Sequence, residues 1–220
     1  AWGEFVAYIQ AISSGSSMQV LQAAGPQKMK SGRYPARYNA AIFEHLYQMG
    51  AITYYKESDK RVQFAFKSPL YKKCLLNQGI WLELFCYVAA RRSGLFDDVR
   101  TSVLIDWAGK LTPKGGTDMT TKNEVDVVLV KGIVPVFTSW KMSAPSPLAL
   151  SEIKLLSSKF GGSQARTVML TGDVLGEESK ALKTRGADLD ILLLDRNDLQ
   201  DGEKLAQTLL RVAWGRTTLG

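Results

Sequence analysis

The 220-residue sequence predicts an α/β protein in which a mixed sheet, flanked by helices, is preceded by a smaller domain. Two observations lead to this class. Residues 123–130 and 133–141 form two apolar, strand-like runs, and Lys131-Gly132 supplies a turn signal between them. After this hairpin, segments with helical and strand patterns alternate along the chain, which is typical of a sheet covered by helices.

Residues 1–70 are predicted to form the smaller first domain. Helical patterns cover 4–12, 18–24 and 36–49, and Gly50 ends the last of these helices. Residues 51–66 then have the pattern of a hairpin. Three helices followed by a hairpin is the winged-helix pattern, which often binds DNA through its third helix. Because helix 36–49 is poor in Arg and Lys, we favour a linker or dimerisation role for it.

Residues 71–220 are predicted to form the second domain, which contains the hairpin. A helix at 78–92 and a strand at 99–107 precede a loop at 109–122 that is rich in Gly, Thr and Lys. Beyond the hairpin, the predicted elements are helix 148–160, strand 167–170, helix 178–185, strand 190–194 and helix 202–212. Together these elements predict the mixed sheet and its flanking helices.

Residue counts exclude several kinds of site and location. The single histidine, His45, rules out most Ser-His-Asp, Cys-His and histidine-metal sites. Cys74 and Cys86 have no Cys-x-x-Cys spacing, so we expect no zinc and a reducing, cytoplasmic location. The sequence contains no apolar run of about 18 residues, so it predicts no membrane span, and no signal peptide is visible. Because the chain begins at Ala1 without a methionine, we expect a fragment of a longer protein.

The net charge of +7 suits a polyanionic partner such as DNA or RNA, although many other soluble proteins carry a similar excess. If the partner is a nucleic acid, the loop at 109–122 would contact its phosphates; otherwise its lysines serve solubility.

The hairpin carries the principal candidates for chemistry, Asp126 and Lys141. Since side chains alternate along a strand, Glu124, Asp126 and Val128 should share one face, and Ser139 and Lys141 should share another. Pairing of the strands would bring Asp126 near Lys141. A carboxylate can hold a hard divalent cation, while a lysine can orient an attacking water and stabilise a scissile phosphate. The alternative is an edge hairpin with solvated charges.

Helix 78–92 offers a second carboxylate, Glu83. This residue lies within a predicted apolar stripe, which consists of Ile80, Leu84, Tyr87 and Val88. A carboxylate that faces a core is costly unless a cation or hydrogen bonds compensate it. Glu83 therefore either forms an ion pair with an arginine or points toward a metal held by Asp126.

A helix with Trp-Leu-Glu, a strand with Asn-Glu-Val-Asp and a following strand with x-x-Lys resemble the PD-(D/E)xK nuclease superfamily, which has the restriction-endonuclease-like fold. More narrowly, the chain is similar to the nuclease half of the CRISPR-associated nucleases activated by cyclic oligoadenylate. Those proteins contain a sensor domain, a winged-helix domain and a restriction-endonuclease-like domain. The matching stretches are 77–83, 123–126, 161–162 and 184–187, within residues 70–200.

The resemblance implies a role for each candidate residue. Asp126 would be the metal-binding aspartate, Lys141 the catalytic lysine, Glu83 the helix carboxylate and Glu124 an accessory acid. The main-chain carbonyl of Trp140 would be a further ligand for Mg²⁺ or Mn²⁺. It also implies hydrolysis of DNA or RNA in antiviral defence, a homodimer, and a cyclic oligoadenylate activator bound by a sensor domain that this chain does not contain.

One departure from the superfamily pattern concerns Ser139, since the second strand usually carries Glu-x-Lys and this chain has Ser-Trp-Lys. A hydroxyl in place of a carboxylate should weaken Mg²⁺ binding, because hard cations depend on charged oxygens. Glu83 or Glu124 could compensate. Otherwise the chain would be a nucleic-acid-binding or regulatory module with a degenerate site.

Overall fold

A computed structural model describes residues 2–13, 16–23, 36–58, 61–106 and 122–215. The predicted phosphate-contacting loop at 109–122 lies outside these residues except for Lys122. The chain divides into two compact units, residues 1–81 and 82–220. This division lies further along the chain than the boundary at residue 70 that the sequence suggests.

The first unit combines helices with a three-stranded antiparallel sheet. Its elements are α1 (Trp2–Ile12), β1 (Gln19–Ala23), α2 (Ala40–Gln48), β2 (Ile52–Ser58), β3 (Arg61–Phe66) and α3 (Pro69–Leu76). Strand β3 lies in the centre of the sheet and pairs with β1 and β2. The predicted hairpin is thus β2–β3, whereas the winged-helix assignment of the unit remains a prediction.

The helix predicted at 18–24 is wrong, because residues 19–23 form strand β1. Val20 is buried while the next residue, Leu21, is 57% exposed, which is the alternation of a half-buried strand. The segment is too short for its pattern to distinguish a helix from a strand. Long-range pairing with β3 therefore determines that it forms a strand.

Helix α3, which the sequence analysis did not predict, explains why the first unit extends beyond residue 70. Leu75 is fully buried in the core of this unit, and Leu76 and Trp81 pack against the same core. Burying a leucine side chain contributes roughly 1.5–3 kcal/mol, so these contacts hold the segment to the first unit.

The second unit contains a five-stranded mixed sheet. Its elements are α4 (Gln78–Ser93, which begins in the first unit), β4 (Asp98–Asp106), β5 (Lys122–Lys131), β6 (Val134–Lys141), α5 (Pro147–Gly161), β7 (Arg166–Thr171), α6 (Lys180–Asp188), β8 (Ile191–Leu194) and α7 (Gly202–Ala213). The strands lie in the order β4-β5-β6-β7-β8. Strand β5 is antiparallel to both β4 and β6, whereas β7 and β8 run parallel to β6.

Helices cover both faces of this sheet. One core packs α4 and α7 against the sheet, with Cys86, Leu205 and Leu209 among its buried residues. A second core packs α5 and α6 against the opposite face, around Leu150 and Ile153. The predicted mixed sheet flanked by helices, as in the restriction-endonuclease-like fold, is therefore confirmed.

The turn between β5 and β6 fixes the register of the hairpin. Gly132 adopts a φ of 59°, a conformation that suits glycine, and its N–H donates to Asp97 at 2.6 Å.

No helix within the described residues is both long and apolar enough to cross a membrane.

Candidate active site

Asp126 lies where the hairpin strands β5 and β6 stop pairing. The regular register ends at Val127 opposite Thr138. Beyond that point the main-chain N–H of Trp140 donates a 2.6 Å hydrogen bond to Oδ2 of Asp126. The hydroxyl of Ser139 also donates to this carboxylate. The Asp126 side chain is thus held between the strands by groups from the end of β6.

The neighbouring strand β4 is irregular at the same level of the sheet. Thr101 pairs with Val127 and Val103 pairs with Val125, but no pairing joins Ser102 and Asp126 between them. Ser102 has a φ of 51°, which is uncommon for a residue with a side chain. Such strained residues cluster at functional sites.

Side chains also change faces at this point. Val127 is buried in the core beneath α4 and α7, whereas Val125 and Val128 pack in the core beneath α5 and α6. Strict alternation would separate Val125 from Val128, so the predicted common face of Glu124, Asp126 and Val128 is wrong. The regular pleat is interrupted at Asp126.

Helix α4 places Glu83 beside this irregular segment. The hydroxyl of Ser102 donates to Oε1 of Glu83 at 2.8 Å, and the Thr101 hydroxyl donates to the same oxygen. Thr101 Oγ1 also lies 3.2 Å from the main-chain oxygen of Asp126. Glu83 is half-buried, and these two hydroxyls supply the compensation that a partly buried carboxylate requires.

The core-facing side of α4 differs from the prediction. Cys86 and Ala90 are buried on this side, and Leu82 and the predicted Tyr87 pack against the same core, whereas Val88 is exposed. Glu83 borders this stripe one residue beyond Leu82. The predicted stripe was displaced because several large apolar residues follow each other in this helix and leave its periodicity ambiguous.

Electrostatic interactions connect the two carboxylates. Burial raises the pKa of Asp126, and the charge of Glu83 raises it further, while the hydrogen bonds from Trp140 and Ser139 and the charge of Lys141 act in the opposite direction. Burial, followed by the charges of Asp126 and Glu83, raises the pKa of Cys86 to about 12. Two partly buried acids thus share one region, which a bound cation would stabilise.

Of the predicted site residues, Glu124 is the one that the structure does not bring into this group. It is exposed on β5 opposite Leu104, and it is not among the groups that shift the pKa of Asp126. Lys141 is exposed at the end of β6, close enough for its charge to act on Asp126. The indole of Trp140 is buried in the core, so only its main chain faces Asp126.

The donor atoms at this point suit a hard divalent cation. Mg²⁺ binds through one or two carboxylates together with waters and substrate phosphates, and Asp126 and Glu83 supply two carboxylates. The main-chain oxygen of Trp140 is a further hard donor. However, no group of three or more His, Cys, Asp and Glu side chains able to hold a metal occurs in the described parts of the chain. The fit to a cation therefore rests on the two carboxylates and the main-chain oxygen alone.

Thr101 and Ser102 were not predicted as functional residues. The available signal was a pair of hydroxyl residues inside a strand that is otherwise apolar on one face. Their contact with Glu83 depends on the packing of α4 beside β4, which no local pattern reveals.

The geometry defines a class: a mixed sheet of the restriction-endonuclease-like type, with acidic and basic groups gathered at the end of its hairpin. No protein-family model matches the chain, and no curated protein matches it. Solved structures match in fold.

Two solved structures are similar to this chain over almost its full length. The crystal structure of protein VC1899 from Vibrio cholerae matches with a TM-score of 0.68 and 16% identity over 96% of this chain and 52% of that one. Can2 from Sulfobacillus thermosulfidooxidans, solved in complex with cyclic tetra-adenylate, matches with a TM-score of 0.53 and 14% identity over 94% of this chain and 50% of that one. At these identities the likeness is one of fold, and the chain spans about half the length of each structure.

Proposed function

We propose that this chain is a metal-dependent nuclease that hydrolyses phosphodiester bonds in DNA, RNA or both. The observation that carries the proposal is that Thr101 contacts both the Glu83 carboxylate and the main-chain oxygen of Asp126 beside the end of β6, where the charge of Lys141 also acts on Asp126. The net charge of +7 is consistent with a polyanionic substrate.

In this proposal Asp126 and Glu83 would hold Mg²⁺ or Mn²⁺, and the main-chain oxygen of Trp140 would be a further ligand. When bound, such a cation lowers the pKa of a coordinated water and neutralises phosphate charge. Lys141 orients the attacking water and donates to the phosphate oxygen on which negative charge develops. The hydrogen bonds from Trp140 and Ser139 fix the orientation of the Asp126 carboxylate.

Ser139 favours a second candidate function. It occupies the position at which the PD-(D/E)xK pattern has a carboxylate, and its hydroxyl instead donates to Asp126. A site with one anion fewer binds hard cations more weakly. The second candidate is therefore a nucleic-acid-binding or regulatory module that retains the fold and has lost hydrolysis.

We further propose that the chain belongs to a longer, cytoplasmic CRISPR ancillary effector. Support comes from the fold shared with Can2, whose structure contains cyclic tetra-adenylate and of which this chain covers half. A cyclic oligoadenylate activator would bind a sensor domain outside these 220 residues.

The assembled protein would be a homodimer, with two sites facing one nucleic acid. Light scattering that finds only monomer in the longer protein at micromolar concentration would contradict the dimer.

A cleavage assay tests the proposed function. Plasmid DNA, single-stranded DNA and single-stranded RNA are incubated with the chain and Mn²⁺, Mg²⁺ or EDTA. We expect cleavage with a divalent cation, none with EDTA, and none in Asp126→Ala, with circular dichroism showing that this variant is folded. Binding without cleavage under all conditions would favour the second candidate. Unchanged cleavage by Asp126→Ala would refute the assignment of the site.

A further inference from the structure

We infer that Thr101 and Ser102 are positioning residues that hold Glu83 toward the cation site of Asp126. The inference rests on the proposed function, which it deepens by assigning the residues that orient the second carboxylate. Both hydroxyls donate to the same oxygen, Oε1 of Glu83. A glutamate side chain has several rotatable bonds, so fixing one carboxylate oxygen at two points restricts the orientation of the whole group.

The backbone of β4 provides the reason that adjacent residues can reach one oxygen. On a regular strand, neighbouring side chains point to opposite faces, so Thr101 and Ser102 could not both contact Glu83. The φ of 51° at Ser102 breaks this alternation. The strand thus adopts an unfavourable backbone conformation at Ser102, and this conformation allows Ser102 to contact Glu83.

The same segment connects Glu83 to Asp126. Thr101 Oγ1 lies 3.2 Å from the main-chain oxygen of Asp126, and Ser102 falls opposite Asp126 where the pairing of β4 and β5 is interrupted. The segment with these two hydroxyl residues therefore lies between the helix residue Glu83 and the strand residue Asp126, and it contacts both. Groups that orient metal ligands typically contribute about 10–100-fold to metal affinity.

Two pairs of variants separate positioning from simple packing. Thr101→Val has the same shape without the hydroxyl, whereas Thr101→Ser retains the hydroxyl. Ser102→Gly removes the hydroxyl and accepts a positive φ without strain, whereas Ser102→Asn tolerates that φ and keeps a polar side chain. Thr138→Val is the matched control, because the buried Thr138 hydroxyl donates to Val127 at 2.8 Å and does not contact Glu83.

Calorimetric titration with Mn²⁺ provides the first measurement. We expect Thr101→Val and Ser102→Gly to weaken Mn²⁺ binding by about tenfold or more, and Thr101→Ser to retain most of the affinity. Ser102→Gly should lose affinity without losing thermal stability, since glycine relieves the strain. Thr138→Val should lose stability and keep its affinity. Equal Mn²⁺ binding by wild type, Thr101→Val and Ser102→Gly would overturn the inference.

A double-mutant cycle provides a measurement that needs no metal. Thr101→Val and Glu83→Gln are combined, and the denaturation midpoints of the four proteins are compared in EDTA. We expect the double variant to differ from the sum of the single changes, because each change disrupts the same contact. Additive midpoints would overturn the inference. If the wild type binds no Mn²⁺ while the cycle is non-additive, the proposed function fails but the contact between Thr101 and Glu83 is upheld.

Discussion

The main-chain N–H of Trp140 donates to Oδ2 of Asp126 across the end of the β5–β6 hairpin, at 2.6 Å. This bond replaces strand pairing with a contact between the main chain and a side chain, and it fixes the position of the carboxylate. An ionised carboxylate has about four acceptor sites, so the hydrogen bonds from Trp140 and Ser139 leave it able to bind a cation.

Replacing Asp126 with Asn should stabilise the fold at neutral pH while abolishing cation binding. Burial and the charge of Glu83 raise the pKa of Asp126, so the ionised form is disfavoured in the folded protein. Asparagine has the same shape without the charge. We expect a higher melting temperature for Asp126→Asn in EDTA at pH 7, and no further increase when Mn²⁺ is added. Exposed Glu152→Gln on α5 is the control.

The pH dependence of this effect has a definite sign. A raised pKa means that the folded state binds the proton more tightly than the unfolded state, so this group favours folding most at low pH. That contribution is lost as pH rises from the unfolded pKa of about 3.9 through the folded value. The advantage of Asp126→Asn over wild type should therefore shrink as pH falls toward 4. An advantage that grows on acidification would contradict the raised pKa.

Removing the charge of Lys141 should impair the chemical step more than cation binding. A donor that stabilises developing negative charge typically contributes on the order of 10²–10³-fold to kcat. We expect Lys141→Met to lose activity in that range and to keep the melting-temperature increase caused by Mn²⁺. Lys183→Met, at an exposed position on α6, should behave as wild type. Unchanged cleavage by Lys141→Met would contradict the proposed role of Lys141.

The sequence predicts the sheet of the second unit well because its strands and helices carry strong local patterns. The hairpin turn at Gly132, the helix that begins near Pro147 and the final helix beginning near Gly202 are each marked by the residues that form them. By contrast, strand β1 has no local signal that separates it from a short helix. Its structure depends on pairing with β3.

The same distinction applies to the site. The sequence predicts that Asp126 lies near Lys141, because two strands joined by a short turn must pair. It does not predict the break at Ser102, since a positive φ at serine results from tertiary contacts rather than from residue type. The participation of Thr101 likewise depends on where α4 packs. The role of Glu124 was implied by the resemblance, and the expectation that it shares a face with Asp126 and Val128 rested on strand alternation, which is interrupted at Asp126.

The thiol of Cys86 should be inert in the folded protein. Cys86 is fully buried, and burial followed by the charges of Asp126 and Glu83 raises its pKa to about 12. At pH 8 very little of the thiol would be ionised, and the thiolate is the reactive form. In a Cys74→Ala background, we expect no reaction with a thiol reagent until guanidinium unfolds the protein. Rapid modification of the native variant would show that the region beside the two carboxylates is open.

The last prediction concerns Ser139, the position at which the chain departs from the nuclease pattern. Ser139→Glu adds a carboxylate next to Asp126, whose pKa burial and Glu83 already raise. Without a cation the added charge should lower the melting temperature, because like charges repel. With Mn²⁺ the variant should gain more stability than wild type, since a further anionic oxygen strengthens binding of a hard cation.

The matched control is Ser139→Gln, which has the size of glutamate without its charge and should gain no more stability from Mn²⁺ than wild type does. Cleavage assays on the same three proteins separate the two candidate functions. An inactive wild type with an active Ser139→Glu variant would identify a nuclease weakened at this single position. If wild type and Ser139→Glu both bind nucleic acid and neither cleaves it, the chain acts as a binding module, because restoring the missing carboxylate does not restore hydrolysis.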